Sequence, residues 1–326
     1  MADIQSDARE LLAVVDIGSN SVRMNIYDIN TETGDFSVVS SSRAMLKLIS
    51  YVSNGNLNAD GEGKLFALMR EYLAKSNGML CDKFTAFATA SLRGLSNASD
   101  VVGKIKNKLG VEINIISGED EARYDYAATV DRFGKSMSRR GIVIDMGGGS
   151  TELIAFDDRR VRHSFSLPIG SLGLWKRFCG ARKDDPFPTG EEVAEIEKYV
   201  LEEMKKAAPL LSFGGTAYII GGTARAVCRI DASLDGVDEK LDGYTMPNAK
   251  FGRVKSALVD DASSGAKLIS RICPDRMTSI VTGAVAYEKI IAATGVSRAI
   301  LSQAGVREGF VLEYIRKTYP KTAREF

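Results

Sequence analysis

The sequence predicts a two-lobed α/β protein built from a duplicated unit, and three observations carry that prediction. The first is length: 326 residues exceed what one core usually serves and suit two. The second is a strand–aspartate–turn–strand pattern that occurs twice. Leu11 to Asp16, Gly18-Ser19-Asn20-Ser21 and Val22 to Tyr27 make the first copy; Ile142 to Asp145, Gly147-Gly148-Gly149-Ser150-Thr151 and the apolar run after Glu152 make the second. The third is that each copy is followed by elements in the same order.

In the first half a third strand is expected within Phe36 to Ile49, then a helix over Gly61 to Asn77, where Leu65, Leu68, Met69, Tyr72 and Leu73 recur at helical spacing. A short strand follows at Phe84 to Ala88. Ser96 or Asn97 caps a helix running to Leu109, which Gly110 closes, and Val111 to Ile116 is the next strand. A helix from about Gly118 to Phe133 completes the order βββαβαβα.

The second half restarts at Gly141. A strand around Val161 to Leu167, helices at Leu172 to Phe178 and Glu191 to Leu211, and a strand at Ala217 to Ile220 follow the hairpin. A helix begins at Thr223, a longer one spans Met277 to Thr294, and a strand at Ala299 to Leu301 precedes a closing helix from about Glu308 to Tyr319. An insertion between Asp231 and Cys273 has no clear pattern. Two such halves, facing each other, would bring their aspartate-ended turns together across a cleft outside the strand ends.

The turns suggest phosphate. Glycine lets successive backbone N–H groups converge on an anion with no Cβ in the way. Asp145 and Glu152 add hard oxygen ligands suited to a magnesium ion, with Asp16 close by. A third turn, Gly221-Gly222-Thr223, leads from strand to helix and makes another anion site at a helix N-terminus. Arg23 and Arg93 are candidate bidentate phosphate partners. For a base, Glu119, Asp120 and Glu121 crowd one helical turn, and spacing does not choose among them.

Composition narrows the chemistry. The formal charge is +1, so the whole chain offers no field for nucleic acid or membrane. Basic clusters at Lys104/Lys106/Lys108, Arg139-Arg140 and Arg159-Arg160-Arg162 read as solvated faces. His163 is the single histidine, which disfavours histidine-ligated metal centres and Ser-His-Asp triads. The four cysteines lack CxxC spacing and read as reduced thiols. The polar opening (Asp3, Gln5, Asp7, Arg9, Glu10) has no signal-peptide form, and no run reaches transmembrane length, so a soluble cytoplasmic protein is expected.

Seven stretches then point to one family. DIGSNSVRM (Asp16 to Met24), ATASLRGLSN (Ala88 to Asn97), ISGEDEARY (Ile116 to Tyr124), IDMGGGSTEL (Ile144 to Leu153), SLPIGSLGL (Ser166 to Leu174), GGTARAV (Gly221 to Val227) and AGVREGFV (Ala304 to Val311) resemble, in order, the motifs of the exopolyphosphatase and guanosine pentaphosphate phosphohydrolase family. The resemblance implies two ribonuclease-H-like (actin-like ATPase) domains with a cleft between them: residues 1–118 plus the C-terminal helix 306–326, and residues 119–305. It implies hydrolytic release of terminal phosphate from inorganic polyphosphate or guanosine pentaphosphate with Mg2+, and it assigns the base to Glu121, with Glu152 in a catalytic and metal-binding role.

The chain resembles the short two-domain type, since longer members carry a further C-terminal helical region. A homodimer is expected. Two departures stand out: Lys47-Leu48-Ile49 where the family usually has Arg-Leu-Gly, and Arg276-Met277-Thr278 where it has Arg-Ala-Asp. Neither is expected to touch the phosphate or metal motifs. The competing readings are an ATP-dependent kinase of the same superfamily, which would transfer rather than release phosphate, and a polyphosphate- or alarmone-binding protein without turnover.

Overall fold

A computed structural model describes residues 8–180, 187–237 and 241–322. Asp3, Gln5 and Asp7 of the polar opening and the last four residues of the expected 306–326 segment lie outside the described residues. The chain divides into two compact units, residues 1–117 with 307–326, and residues 118–306.

The first unit is organised by β1 (Arg9–Ile17), β2 (Val22–Asn30) and β3 (Phe36–Ala44). A small hairpin of β4 (Val52–Ser53) and β5 (Asn56–Leu57) follows, then α1 (Ala59–Gly78), β6 (Lys83–Ala88), α2 (Ala98–Leu109) and β7 (Ile113–Ile115). The sheet order is β3-β2-β1-β6-β7, with β2 antiparallel to both neighbours and β1, β6 and β7 parallel. As the central strand, β1 is buried on both faces from Leu12 to Val15, which explains its unbroken apolar run. Asn58 starts α1 by accepting from the Gly61 amide at 3.0 Å. Leu65, Leu68, Met69 and Tyr72 then turn one face of α1 onto the sheet. Gly110, at φ +70°, closes α2 as its sequence position predicts.

The second unit opens with α3 (Gly118–Phe133), followed by β8 (Arg140–Met146), β9 (Thr151–Asp157) and β10 (Arg160–Leu167). Next come α4 (Ser171–Phe178), α5 (Gly190–Lys205), β11 (Thr216–Ile220) and α6 (Gly221–Leu234). The segment without a clear pattern forms β12 (Thr245–Pro247), α7 (Ala249–Val259) and α8 (Ala262–Ile272), before α9 (Ile280–Thr294) and β13 (Arg298–Leu301). The sheet runs β10-β9-β8-β11-β13-β12. Its first five strands repeat the order and directions of the first unit, the ribonuclease-H-like arrangement, and β12 extends the edge antiparallel to β13.

Side chains alternate cleanly across this sheet. Ile142, Ile144, Leu153, Ala155 and Ala217 face the large core that α9 fills. Val143, Ile154, Phe156 and Tyr218 face the other way, against Ala122 and Tyr126 of α3. Because α9 is apolar nearly all round, it sits as an interior helix between α5 and α7.

Finally α10 (Val306–Thr318) returns the chain to the first unit from Arg307 onward. Phe310 stacks on Phe87 with ring centroids 5.1 Å apart. The buried Glu10 carboxylate accepts hydrogen bonds from Tyr314 and from Tyr319, just beyond the helix. These contacts tie the closing helix to β6 and β1.

Candidate active site

In the second unit the glycine turn is held from behind by the start of α4. Gly147 N–H donates to Ser150 O at 2.9 Å. The carbonyls of Gly147 and Gly148 accept from the amides of Ser171, Leu172 and Gly173 at 2.8 to 3.0 Å. Gly170 must be glycine because of space: a Cβ there would lie 2.3 Å from the backbone of Gly149. The Thr151 hydroxyl donates to Ile169 O at 2.5 Å, so the SLPIGSLGL stretch serves as a clamp on the turn.

Asp145 and Glu152 are cross-strand partners in the β8–β9 ladder, which sets their Cβ atoms roughly 4.5–5.5 Å apart. Glu152 is only 1% exposed, and its Oε1 accepts from the Ser166 hydroxyl at 2.7 Å. Asp145 lies beside the third turn, since a Cβ on Gly221 would sit 2.5 Å from Asp145 Oδ1. Gly221 itself adopts φ +92°, a conformation that favours glycine. Thr223 donates from its hydroxyl to Ser171 Oγ at 3.3 Å, linking that turn to α4. Within this unit, Asp145, Gly147, Gly148, Gly149, Ser150, Thr151, Glu152, Gly221, Gly222 and Thr223 thus come together.

The strand periodicity also fixes a direction. Asp145 shares its face of β8 with Val143, and Glu152 shares its face of β9 with Ile154, the face that α3 covers. At the start of α3, Glu119 is exposed, Asp120 pairs with Arg123 at 3.0 Å, and Glu121 is 6% exposed. Of the three carboxylates that spacing left open, the buried one stands on the same side of the sheet as Asp145 and Glu152.

In the first unit, Gly18 N–H donates to Ser21 O at 3.2 Å and closes the other turn. Ser19 and Asn20 are buried, and both Nδ2 and Oδ1 of Asn20 are without a hydrogen-bond partner among the described residues. A buried amide of that kind is unfavourable unless a ligand completes it. Arg23 lies directly across the ladder from Asp16, and Arg43 lies across from Arg23. Arg93 follows β6, whose end is parallel to that of β1; its Nη1 donates to Ile116 O at 3.1 Å.

Asp16, expected beside the metal, is engaged by an arginine. Arg307 Nη1 donates to Asp16 Oδ2 at 3.0 Å. Burial, as the largest influence, raises the Asp16 pKa above the usual carboxylate value, against the opposing pull of Arg307 and Arg23. The next residue, Glu308, accepts from the Tyr27 hydroxyl at 2.7 Å.

For magnesium, the donor set of Asp145 and Glu152 fits: this ion keeps several waters and is often held by one or two carboxylates together with substrate phosphate. Among the described residues no group of three His, Cys, Asp or Glu side chains is placed to hold a metal.

Two features escaped the sequence reading. Arg307 was visible in the AGVREGFV stretch, but nothing in its spacing announced the ion pair with Asp16. The expectation that neither sequence departure touches the phosphate motifs is also corrected. The amides of Lys47 and Ile49 donate to the carbonyls of Asn20 and Ser19 at 2.9 and 3.3 Å. Arg276 is buried with its guanidinium against Gly222, where a Cβ would meet Nη2 at 1.8 Å. Both segments are remote in sequence and pack directly behind a turn.

Comparison with known proteins gives the family. Residues 26–318 match the sequence model of the Ppx/GppA phosphatase family. Exopolyphosphatase 1 of Mycobacterium tuberculosis H37Rv is 27% identical over 319 residues, covering 96% of this chain and 90% of its own. Exopolyphosphatase 1 of Mycobacterium leprae is 28% identical over 323 residues, covering 96% and 91%. The crystal structure of the Aquifex aeolicus member of the Ppx/GppA protein family superposes with a TM-score of 0.75 at 26% identity, covering 95% of this chain and 99% of that one.

Proposed function

The chain belongs to the Ppx/GppA phosphatase family, and from that premise we propose that it is a magnesium-dependent hydrolase releasing terminal phosphate from inorganic polyphosphate, with guanosine pentaphosphate as a second candidate substrate. The observation that carries this reading is the pairing of Asp145 with Glu152 beside the glycine turns, on the sheet face covered by α3, the helix that carries the buried Glu121. The names of the mycobacterial relatives support polyphosphate as the substrate class.

Breaking a phosphoanhydride requires that the phosphoryl group be held and a water be placed in line. Amides of the Gly147–Thr151 and Gly221–Thr223 turns hold the phosphoryl oxygens. Glu121 accepts a proton from the attacking water as the new P–O bond forms and the anhydride P–O bond breaks, and the shortened chain leaves as an anion. Asp145 and Glu152 would hold Mg2+, which would supply charge stabilisation to the phosphoryl oxygens. In the first unit, Arg23, Arg93 and Asn20 are groups suited to phosphate oxygens. All four cysteines are thiols, which suits a reducing, cytoplasmic location.

The test is phosphate release from polyphosphate and from guanosine pentaphosphate, each with and without magnesium. Transfer to an acceptor in place of release, or binding without turnover, would overturn the reading.

A further inference from the structure

The ion pair between Asp16 and Arg307 joins residues 291 positions apart and stands at the mouth of the first unit's turn. Asp16 ends β1, the strand that feeds the turn; Arg307 opens the helical segment that returns to this unit. Both side chains are largely enclosed, at 13% and 14% exposure. An arginine offers five N–H donors, and among the described residues Arg307 donates from Nη1, to Asp16. Its Nε is buried and has no partner among the described residues.

The surrounding charges argue against a metal at Asp16. Arg23 faces it across the ladder, Arg307 contacts it, and Glu308 lies close enough to influence both. Two guanidinium groups already balance the two carboxylates, so nothing here calls for a further cation, and a divalent ion would be repelled by both arginines. What the group lacks is an acceptor for the orphaned Nε–H and for the Asn20 amide, which lies four residues beyond Asp16. Anionic oxygen satisfies the arginine.

We propose that Asp16 is a positioning residue for Arg307, holding the guanidinium so that its remaining donors take a phosphate oxygen of the substrate, and that it does not ligate the metal. The proposal rests on the phosphate-binding reading above and reassigns one member of the expected metal set. Fixing a guanidinium through a carboxylate keeps its planar fork aimed, an advantage lysine cannot reproduce.

Calorimetry with tripolyphosphate in the absence of metal tests the anion side, and Mn2+ binding followed by electron paramagnetic resonance tests the metal side. Arg307→Gln is expected to weaken tripolyphosphate binding about 10-fold or more, as loss of a charged hydrogen bond would. Arg307→Lys should restore only part of it. Asp16→Asn should weaken tripolyphosphate binding while leaving Mn2+ affinity within about 3-fold of wild type, against a loss of 10-fold or more for Asp145→Asn. The double variant Asp16→Asn/Arg307→Gln should be no worse than Arg307→Gln, since the aspartate acts through the arginine. Loss of Mn2+ binding in Asp16→Asn, additive effects in the double variant, or unchanged tripolyphosphate binding in Arg307→Gln would each overturn the proposal. Because both readouts are equilibrium binding, absence of hydrolysis in the wild-type protein would sink the proposed activity and leave this test intact.

Discussion

Asp145 and Glu152 face each other across the β8–β9 ladder, and Ser166 on β10 donates to Glu152 Oε1 at 2.7 Å. Three adjacent strands therefore set the carboxylate pair, and Glu152 has one oxygen already oriented by a neighbour. Asp145→Ala or Glu152→Ala should lower turnover by at least ~100-fold, because losing metal charge stabilisation removes several kcal/mol from the transition state. Ser166→Ala should raise the magnesium concentration for half-maximal rate by about 10-fold, the usual scale for removing a group that orients a ligand. Undiminished wild-type activity in excess chelator would rule out the magnesium role altogether.

Glu121→Gln should preserve substrate binding and fold while removing most of kcat, since only the proton acceptor changes. The informative control is Glu119→Gln, one turn-mate away and exposed, which should leave both constants unchanged. If Glu119→Gln or Asp120→Asn is the damaging change, the base has been assigned to the wrong carboxylate. Kinetics on the three variants side by side decide it.

The strand–aspartate–turn–strand pattern was legible because the apolar runs of β1 and β8 are central strands buried on both faces, and a run of that kind cannot hide in composition. Burial of Glu121 was not legible: three adjacent carboxylates look alike until the helix is rotated onto a sheet. The β4–β5 hairpin pairs two residues a side, too few to show a period. In the 231–273 segment, Phe251, Val254 and Leu258 seat α7 in the core, while Tyr244 and Lys250 reach the buried Asp231 at 2.8 and 3.2 Å, a polar cluster that no hydrophobic pattern reports. The links from Arg307 to Asp16 and from Arg276 to Gly222 arise from the return of distant chain to a turn, which local spacing does not encode.

Gly170 and Gly190 make a matched test of the clamp behind the glycine turn. A Cβ at Gly170 meets backbone atoms of Gly148 and Gly149 at 2.3 to 2.4 Å, and backbone on both sides has nowhere to go. Gly170→Ala should cost about 1–3 kcal/mol of stability and displace the turn, with activity falling further than stability accounts for. Gly190, at the start of α5, has open space where its Cβ would be. Gly190→Ala should be neutral or stabilising by about 0.4–1 kcal/mol, through fewer unfolded conformations. Denaturant midpoints for the pair would show whether the close approach is as tight as the geometry requires.

Inorganic polyphosphate should be preferred over guanosine pentaphosphate. The groups proposed for phosphate at the turns of each unit, Asn20, Arg23, Arg93 and the glycine amides, suit phosphate oxygens, and a repeating anion presents many of them. Guanine contacts were most open in the 231–273 segment, whose pattern was unreadable. There Lys250 and Arg253 are committed to Asp231 and Asp235, at 2.7 Å for Lys250 with Asp235, and Lys255 reaches Glu197 at 2.9 Å. Charges spent on internal pairs are not aimed at a base. Affinity for the longer anion should fall as salt rises, because exposed charges are screened over about 8 Å at physiological ionic strength. Comparing kcat/KM for the two substrates at matched ionic strength decides the matter: a higher value for guanosine pentaphosphate would mean that a nucleoside pocket exists outside the residues named here.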